Sequence, residues 1–323
     1  MRKVIGIGET VLDIIFKGGQ PVSAVPGGSV YNGIISLGRA GVPASFISEV
    51  GNDRIGARTI DFLRENGVDA TFVGTYRDSK SPISLAFLND RNDAEYIFYK
   101  DHPHDRLDYV TPDINRDDIV MIGSYYAVNP VIRPQVAAIL NAARDRGAII
   151  YYDVNFRASH ADEVMKLTPN ILENFEYADI VRGSREDFKV MYNMDTPDKV
   201  YNSEISFYCK KFIYTDGAGS VELRGDNALK KSYPVAAAQT VSTIGAGDNF
   251  NAGLVYGMMR YGVTRSMMDG AIAEKTWDDI IGCALAFSAN CCKSIGNSID
   301  TGFGDMMKEQ LNTTKQQTNQ TLQ

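Results

Sequence analysis

Two periodicities alternate along this chain, and together they predict its main secondary structure. Short runs of apolar, β-prone residues predict strands at Lys3–Gly8, Ala44–Val50, Ile119–Ile122, Ala148–Asp153, Ile180–Arg182 and Phe212–Thr215. Longer segments with apolar residues at helical spacing predict helices at Ser29–Ala40, Ile55–Asn66, Ile132–Arg146, Arg185–Tyr192, Asp248–Arg260 and Asp278–Cys292. Strands that alternate with helices indicate βαβ units. We therefore expect an α/β fold with a mostly parallel central sheet and helices on both of its faces.

Two stretches interrupt this alternation with pairs of β-prone runs. Ser84–Asn89 and Glu95–Tyr99 flank the turn-forming letters DRND, and a second pair lies within Ile14–Val25 around two adjacent glycines. Such hairpins do not fit a parallel sheet, so they predict a small β lid, with an edge extension of no function as the alternative. The lid strands are expected in about residues 12–26 and 82–102 of a single domain that spans residues 1–304.

The composition and the C-terminal letters limit what else the chain can be. The net charge of −7 argues against a dedicated nucleic-acid or anionic-membrane surface, and no run of about 18 apolar residues predicts a membrane span. The four cysteines lack C-x-x-C spacing and the three histidines match no zinc pattern, so we expect reduced thiols. These features predict a cytoplasmic protein with no nucleic-acid or membrane partner. Residues 305–323 lose apolar periodicity and predict a polar, loosely ordered tail.

The letters GAGD carry the clearest chemical signal. Gly245, Ala246 and Gly247 are small residues that precede a predicted helix, and backbone N–H groups can converge there to bind an anion such as phosphate. Asp248 follows directly, although a carboxylate repels phosphate. A carboxylate at this position makes sense if Asp248 accepts the proton of a hydroxyl that attacks the phosphate. The alternative is that Asp248 only caps the helix. The chain has no P-loop motif, and GIGETV has Val11 where a Rossmann motif needs its third glycine.

Five motifs in order resemble those of the PfkB (ribokinase-like) carbohydrate kinases, from about residue 3 to about residue 300. The motifs are STIGAGD, PGGSVYNGIISLGRAG, GETVLDII, YYDVNFR and YTDGAG. YYDVNFR resembles the fructokinase and 2-keto-3-deoxygluconate kinase branch in particular. The resemblance implies a ribokinase-like three-layer α/β/α fold with a small β lid.

The same resemblance implies roles for individual residues. Asp248 is the catalytic base, and the amides of Gly245, Ala246 and Gly247 form the anion hole. The residues implied in sugar binding are Asp13, Gly27, Gly28, Asn32 and Arg157, the last of which offers a planar fork for phosphate or for a substrate carboxylate. The residues implied around ATP are Asn155, Thr215, Gly217, Gly219, Ala286 and Ala289.

Two positions depart from the family pattern. The stretch VRGSREDF stands where the family has N-x-x-E, a motif that organises water around Mg²⁺ and the phosphates. Its register pairs either Gly183 with Glu186 or Ser184 with Asp187, and Asp187 is preferred. Ser242 replaces an aspartate that is common in the family and helps to hold a monovalent cation there, so little activation by potassium is expected. No metal ligands are assigned.

The resemblance implies ATP-dependent phosphorylation of a sugar hydroxyl, with Mg²⁺ bridging the phosphates. Fructose is the first choice of substrate, and 2-keto-3-deoxygluconate, ribose or a nucleoside remain alternatives. A protein that binds a sugar or nucleotide without turnover is the alternative from another class. Lids pair between subunits in several family members, so a homodimer through the lid is expected.

Overall fold

The computed structural model describes residues 2–89, 94–100, 111–236 and 240–321. The strands are β1 (Val4–Ile7), β2 (Val11–Lys17), β3 (Gln20–Gly27), β4 (Ala44–Gly51), β5 (Val68–Asp69), β6 (Val73–Tyr76), β7 (Ile83–Leu88), β8 (Ala94–Tyr99), β9 (Ile119–Gly123), β10 (Ile149–Asp153), β11 (Ile180–Ser184), β12 (Lys211–Thr215), β13 (Ser220–Arg224) and β14 (Lys230–Pro234). The α-helices are α1 (Ser29–Arg39), α2 (Arg54–Glu65), α3 (Ser124–Val128), α4 (Arg133–Arg146), α5 (Val164–Tyr177), α6 (Arg185–Tyr192), α7 (Pro197–Val200), α8 (Ala246–Arg260), α9 (Arg265–Asp269), α10 (Glu274–Cys291) and α11 (Thr301–Thr321).

The main sheet is mostly parallel, as expected. Its strands lie in the order β14-β13-β12-β11-β10-β9-β1-β4-β5, and β6 also pairs with β4. The pairs from β12 to β4 are parallel, whereas β13 and β14 run antiparallel to their neighbours. The carboxyl ends of β1, β9, β10, β11 and β12 therefore meet at one edge of the sheet.

Helices cover both faces of this sheet. In β10, Ile149 and Tyr151 pack into the core beneath α1, α8 and α10, whereas Ile150 and Tyr152 pack into the core beneath α4 and α5. A strand that is buried on both faces needs apolar residues at successive positions, which is why these strands appear as continuous apolar runs in the sequence. The three-layer α/β/α architecture is confirmed.

The predicted strands and helices are found with small shifts at their ends. The largest shift is at α10, which begins at Glu274 rather than at Asp278. The helix α5 was missed, because Pro169 lies inside it and the letters TPN read as a turn. None of the described helices has both the length and the apolar character needed to cross a membrane.

A second, smaller sheet forms the expected lid. Its order is β3-β2-β7-β8, in which β2 and β7 are parallel and the other pairs are antiparallel. Both predicted hairpin strand pairs are present. The connection at residues 90–93 and the predicted lid residues 101–102 lie outside the described residues.

The C-terminal segment corrects one expectation. The helix α11 extends to Thr321, where the sequence predicted a loosely ordered tail from residue 305. Met307 and Leu311 are buried in the core, and the hydroxyl of Tyr256 donates a hydrogen bond to the carbonyl oxygen of Met307 at 2.6 Å. Two apolar residues one turn apart are enough to dock this helix, although they are too few to give a clear periodic signal.

Candidate active site

A buried carboxylate occupies the first turn of α8. Gly245 precedes this helix with φ 75°, and a Cβ atom there would lie 2.8 Å from the carbonyl oxygen of Asn297. Glycine is therefore the residue that lets the chain enter α8 so close to the loop that carries Asn297. Asp248 follows three residues later and is only 8% exposed.

Two side chains of α1 hold Asp248 in place. Ser29 Oγ donates a hydrogen bond to Oδ1 at 2.8 Å, and Asn32 Nδ2 donates to Oδ2 at 2.8 Å. Burial raises the pKa of Asp248, whereas the hydrogen bond from Asn32 and the charge of Arg157 oppose that increase. A fixed carboxylate with a raised proton affinity is suited to accept a proton from a bound hydroxyl.

The turn before Asp248 supplies part of the expected anion site. The amide N–H of Ala246 donates to the carbonyl oxygen of Thr243 at 3.1 Å, so this amide closes the turn instead of facing an anion. The other amides of the first turn have no acceptor within the helix, and they carry its positive dipole end. The expectation that Ala246 contributes its amide to an anion hole is therefore corrected, and the contributions of the Gly245 and Gly247 amides stay predictions.

Asp13 lies at the base of the lid, in β2. Ser84 Oγ donates to its Oδ1 at 2.5 Å, and Asn297 Nδ2 donates to its Oδ2 at 2.9 Å. Burial raises the pKa of Asp13 to about 6, and the nearby Asp248 adds to the increase. This carboxylate can accept further hydrogen bonds from sugar hydroxyls, because each of its oxygens has a second lone pair.

The two glycines of the PGG motif form the wall beside Asp13. A Cβ atom on Gly27 would lie 2.2 Å from Asp13 Oδ2, and one on Gly28 would lie 2.3 Å from the carbonyl oxygen of Glu9. Gly28 also has φ 132°, which disfavours any other residue. Both positions exclude a side chain, and their contact with a sugar stays a prediction.

Arg157 brings positive charge to the same pocket. It follows β10, its side chain is exposed, and no ion pair joins it to another described residue. Its charge lowers the pKa of both Asp13 and Asp248, so it lies near both carboxylates. The structure thus brings together the residues predicted to bind the sugar: Asp13, Gly27, Gly28, Asn32 and Arg157.

Asp187 is already bonded by the protein. It caps α6 together with Ser184, whose N–H and Oγ both donate to Oδ2, and the N–H of Phe156 donates to Oδ1 at 2.8 Å. The choice of the Ser184–Asp187 register stays a prediction. The carboxylate ties α6 to the loop that contains Asn155, which has φ 37°. A role for Asp187 or Asn155 towards a nucleotide stays a prediction.

The remaining residues predicted around ATP are more scattered. Thr215 ends β12 beside this edge and is buried, and Gly217 and Gly219 lie in the turn that leads to β13. Ala286 is half-buried and Ala289 is exposed on α10, which packs against α8. No described contact joins these two alanines to Asp248, so their proximity to a nucleotide stays a prediction.

Arg182 is a site residue that sequence reasoning missed. Its Nη1 lies 2.9 Å from Asp153 Oδ1, and its Nη2 donates to Thr215 Oγ1 at 2.6 Å. A Cβ atom on Gly247 would lie 3.5 Å from Nη2, so the guanidinium packs against the turn that begins α8. Its Nε is buried and has no hydrogen-bond partner among the described residues. The available signal was a charged residue inside the otherwise apolar run IVRGS.

Ser29, Ser84 and Asn297 were also missed. Ser29 is three positions before Asn32 on α1, so helical spacing could have placed both side chains on the face that meets Asp248. Ser84 is paired in register with Asp13 across β7 and β2, which requires knowledge of the lid pairing. For Asn297, 284 residues away from Asp13, the sequence contains no local signal.

The described residues contain no group of three or more histidines, cysteines, aspartates or glutamates placed to hold a metal ion. Hard cations such as Mg²⁺ prefer oxygen ligands and often bind through one or two carboxylates together with substrate phosphates. The binding of Mg²⁺ together with ATP stays a prediction.

Comparisons with known proteins identify the family of this chain. Residues 1–301 match the model of the pfkB family carbohydrate kinases. The chain is 28% identical over 292 residues to 5-dehydro-2-deoxygluconokinase of Geobacillus thermodenitrificans, covering 85% of this chain and 82% of that protein. It is 27% identical over 268 residues to Fructokinase-2 of Oryza sativa subsp. japonica, covering 78% of each chain.

Solved structures support the fold. Fructokinase from Vibrio cholerae O395, bound to fructose, ADP and calcium ion, superposes with a TM-score of 0.80 at 21% identity and covers 92% of this chain and 94% of its own. Aminoimidazole riboside kinase from Salmonella enterica, complexed with aminoimidazole riboside and an ATP analog, has a TM-score of 0.77 at 22% identity and covers 96% and 100%. The chain therefore belongs to the pfkB family of carbohydrate kinases, and it is an ATP-dependent sugar kinase.

Proposed function

We propose that this kinase is fructokinase-like and transfers the γ-phosphate of ATP to a hydroxyl of fructose, with Asp248 as the base. The observation that carries the proposal is the position of Asp248, held by Ser29 and Asn32 beside the phosphate-binding turn of α8. The hydroxyl proton passes to the Asp248 carboxylate as the sugar oxygen bonds to the γ-phosphorus, and the bond from that phosphorus to the bridging oxygen of ADP breaks.

Separate groups bind the sugar and stabilise the transferring phosphate. Asp13 accepts hydrogen bonds from sugar hydroxyls at the base of the lid and so fixes the sugar relative to Asp248. The free amides of the turn and first helical turn of α8 face the negative charge. The guanidinium of Arg182, paired with Asp153, packs against Gly247 of that turn. A Mg²⁺ ion bound with ATP would neutralise phosphate charge. Asp187 would act on such an ion only through water, because its oxygens already accept hydrogen bonds from Ser184 and Phe156.

One class of sugar competes with fructose as the substrate, namely an acidic sugar. Fructokinases are among the relatives, and so is 5-dehydro-2-deoxygluconokinase, whose name indicates an acidic sugar. Arg157 favours an acidic sugar, because its guanidinium is exposed near Asp13 and is not paired with another described residue. Release of ADP should be measured across fructose, 5-dehydro-2-deoxygluconate, 2-keto-3-deoxygluconate, ribose and a nucleoside, and fructose is expected to give the highest kcat/KM. A higher value for an acidic sugar would overturn the choice of fructose and leave the kinase assignment standing.

The role of Asp248 is tested by substitution. Asp248→Asn should lower kcat by about 10²- to 10⁴-fold, because the amide keeps the shape but cannot accept the proton. Binding of ATP, measured by calorimetry, should survive. Ser29→Ala is the matched control, since it removes one hydrogen bond to Asp248 and leaves the carboxylate; a loss of about tenfold or less is expected. If Asp248→Asn keeps more than half of the wild-type kcat, Asp248 is only a helix cap.

We also propose that the kinase forms a homodimer through the outer face of the lid. Strand alternation and register place the apolar side chains of three strands on that face, and the stacked rings of Phe16 and Phe87 lie 4.9 Å apart. These residues are Leu12, Ile14, Phe16, Ile83, Leu85, Phe87, Ile97 and Tyr99. Ile97 and Tyr99 are 45% and 55% exposed, so this face leaves apolar side chains open to water. A second copy presents the same face and would cover it.

Light scattering at micromolar concentration tests the dimer. The wild type should be dimeric, and Ile97→Lys should be monomeric with its fold intact. Met165→Lys is the matched control, because Met165 is an 87% exposed apolar residue outside the lid, and it should remain dimeric. A monomeric wild type would refute the dimer.

The proposal further assigns the enzyme to the cytoplasm, which fits its use of ATP and four cysteines that form no disulfide.

A further inference from the structure

The loop that follows α10 places one asparagine between the two halves of the active site. Asn297 is 4% exposed, and its side-chain Nδ2 donates to Asp13 Oδ2 at 2.9 Å. Its main-chain carbonyl oxygen accepts a hydrogen bond from Asn249 Nδ2 at 2.9 Å, and Asn249 directly follows Asp248. One residue therefore contacts both the sugar-binding carboxylate and the first turn of the helix that carries the base.

Its contacts with the glycines make this placement tight. The carbonyl oxygen of Asn297 lies 2.8 Å from the position that a Cβ atom on Gly245 would take. Its Nδ2 lies 3.1 Å from the corresponding Cβ position on Gly27. The amide thus lies in the wall of the sugar pocket, and its carbonyl lies against the phosphate-binding turn. A shift of Asn297 would therefore disturb both the wall of the sugar pocket and the turn before α8.

The orientation of the Asn297 side chain is fixed by the hydrogen bond that its Nδ2 donates, because its Oδ1 is unpaired in the described part of the chain. Asn297 Oδ1 is buried and has no hydrogen-bond partner among the described residues. Rotating the amide by half a turn would bring Oδ1 against Asp13 Oδ2, which is unfavourable between two acceptors when Asp13 is ionised. The bond from Nδ2 to Asp13 therefore favours the ionised carboxylate in one fixed orientation.

We propose that Asn297 is a positioning residue that holds Asp13 ionised and oriented for the sugar and connects it to the phosphate-binding turn. The inference rests on the proposed function for the identity of the sugar and for the role of Asp13 in binding it. Several groups face Asp13 besides Asn297. Ser84 donates to it and Arg157 contributes positive charge, whereas Asp248 opposes its ionisation; Tyr96 also lies within electrostatic range. Losing the Asn297 donor shifts this balance towards the protonated acid.

The variant Asn297→Ala tests the proposal through the difference between the two substrates. Loss of one hydrogen bond to a carboxylate corresponds to a rise of about tenfold in KM for the sugar. The KM for ATP should stay within about twofold. The acidic limb of kcat/KM for the sugar should also move to higher pH, because Asp13 becomes easier to protonate.

Asn290→Ala is the matched control. Asn290 is also buried, lies seven residues earlier and holds the same loop through Asp300, whose N–H donates to Asn290 Oδ1 at 2.9 Å. It does not contact Asp13. This variant loosens the loop but keeps the hydrogen bond from Asn297 to Asp13. It should therefore leave the acidic limb of kcat/KM for the sugar unchanged and alter the KM values for the sugar and for ATP alike. Equal effects of the two variants would show that Asn297 only stabilises the loop.

Two further measurements keep the inference testable. If Asn297→Ala fails to fold, Asn297→Ser replaces it, and the same rise in sugar KM is expected. The carbon-13 chemical shift of the Asp13 carboxyl, followed against pH, does not depend on turnover. Its titration should move to higher pH in the Asn297 variant, and an unchanged midpoint would overturn the inference. An enzyme inactive on every sugar, with a shifted midpoint, would instead refute the proposed function alone.

Discussion

Asp13 is 6% exposed, and replacing it with asparagine should make the protein more stable at neutral pH while it damages sugar binding. Burial raises the pKa of Asp13 from 3.8 to about 6, so the folded state binds its proton more tightly than the unfolded state does. The stabilisation from that proton is present below pH 3.8 and is lost as pH rises through about 6. At about 1.36 kcal/mol per pKa unit, the full loss is roughly 3 kcal/mol.

Asp13→Asn removes this pH-dependent cost because an amide does not ionise. The new side chain can also be accommodated, since a half-turn of the Asn297 amide would bring its unpaired Oδ1 towards the new N–H donor. The free energy of unfolding of the variant minus that of the wild type should therefore increase by about 2 kcal/mol between pH 4.5 and pH 8. Urea unfolding at a series of pH values measures this difference directly.

Asp269→Asn is a control with the opposite sign. The hydrogen bond from Arg265 lowers the pKa of Asp269, so its carboxylate contributes stability above its unfolded pKa, and that contribution is lost on acidification. Asp269→Asn should therefore have a lower free energy of unfolding than the wild type at neutral pH, and this difference should shrink as pH falls. If the stability difference between Asp13→Asn and the wild type is the same at pH 4.5 and at pH 8, the reasoning on Asp13 is refuted.

Three other outcomes follow from the site. Removing potassium at constant ionic strength should change the initial rate by no more than about threefold, because Ser242 is uncharged and its Oγ accepts a hydrogen bond from Ile244 N–H at 3.1 Å; a steep, saturable rise with potassium would contradict this. Gly28→Ala should lower the free energy of unfolding by about 2–4 kcal/mol in urea, because its Cβ would overlap a backbone oxygen. Arg182→Met should cost about 3–5 kcal/mol in the same assay by leaving Asp153 buried without its partner, and a cost below about 1 kcal/mol would show that the pair is not needed.

The central fold could be predicted because its signals are local. A strand of a parallel sheet is buried on both faces, so Ile149–Asp153 reads as an uninterrupted β-prone run. The small residues before Asp248 and the paired glycines at Gly27 and Gly28 could be found for a similar reason. Their requirements are set by the backbone at a single turn, and that turn lies within a few consecutive letters.

The missing parts of the site depend on contacts between distant segments. Asn297 meets Asp13 only after α10 has packed on α8 and the lid has formed. Arg182 was treated as the end of a strand, because nothing beside it in the sequence shows that Asp153 and Thr215 come to it from neighbouring strands.

The arrangement of charges around the sugar pocket has a functional logic that the individual contacts do not show. Asp13 and Asp248 receive their direct hydrogen bonds from neutral groups, namely hydroxyls and amides. Arg157 lowers the pKa of both carboxylates without forming an ion pair with either. A direct ion pair would hold each carboxylate ionised but would use the lone pairs that hydroxyls need. Placing the cation nearby keeps both acids able to ionise while their acceptor positions stay open to the substrate.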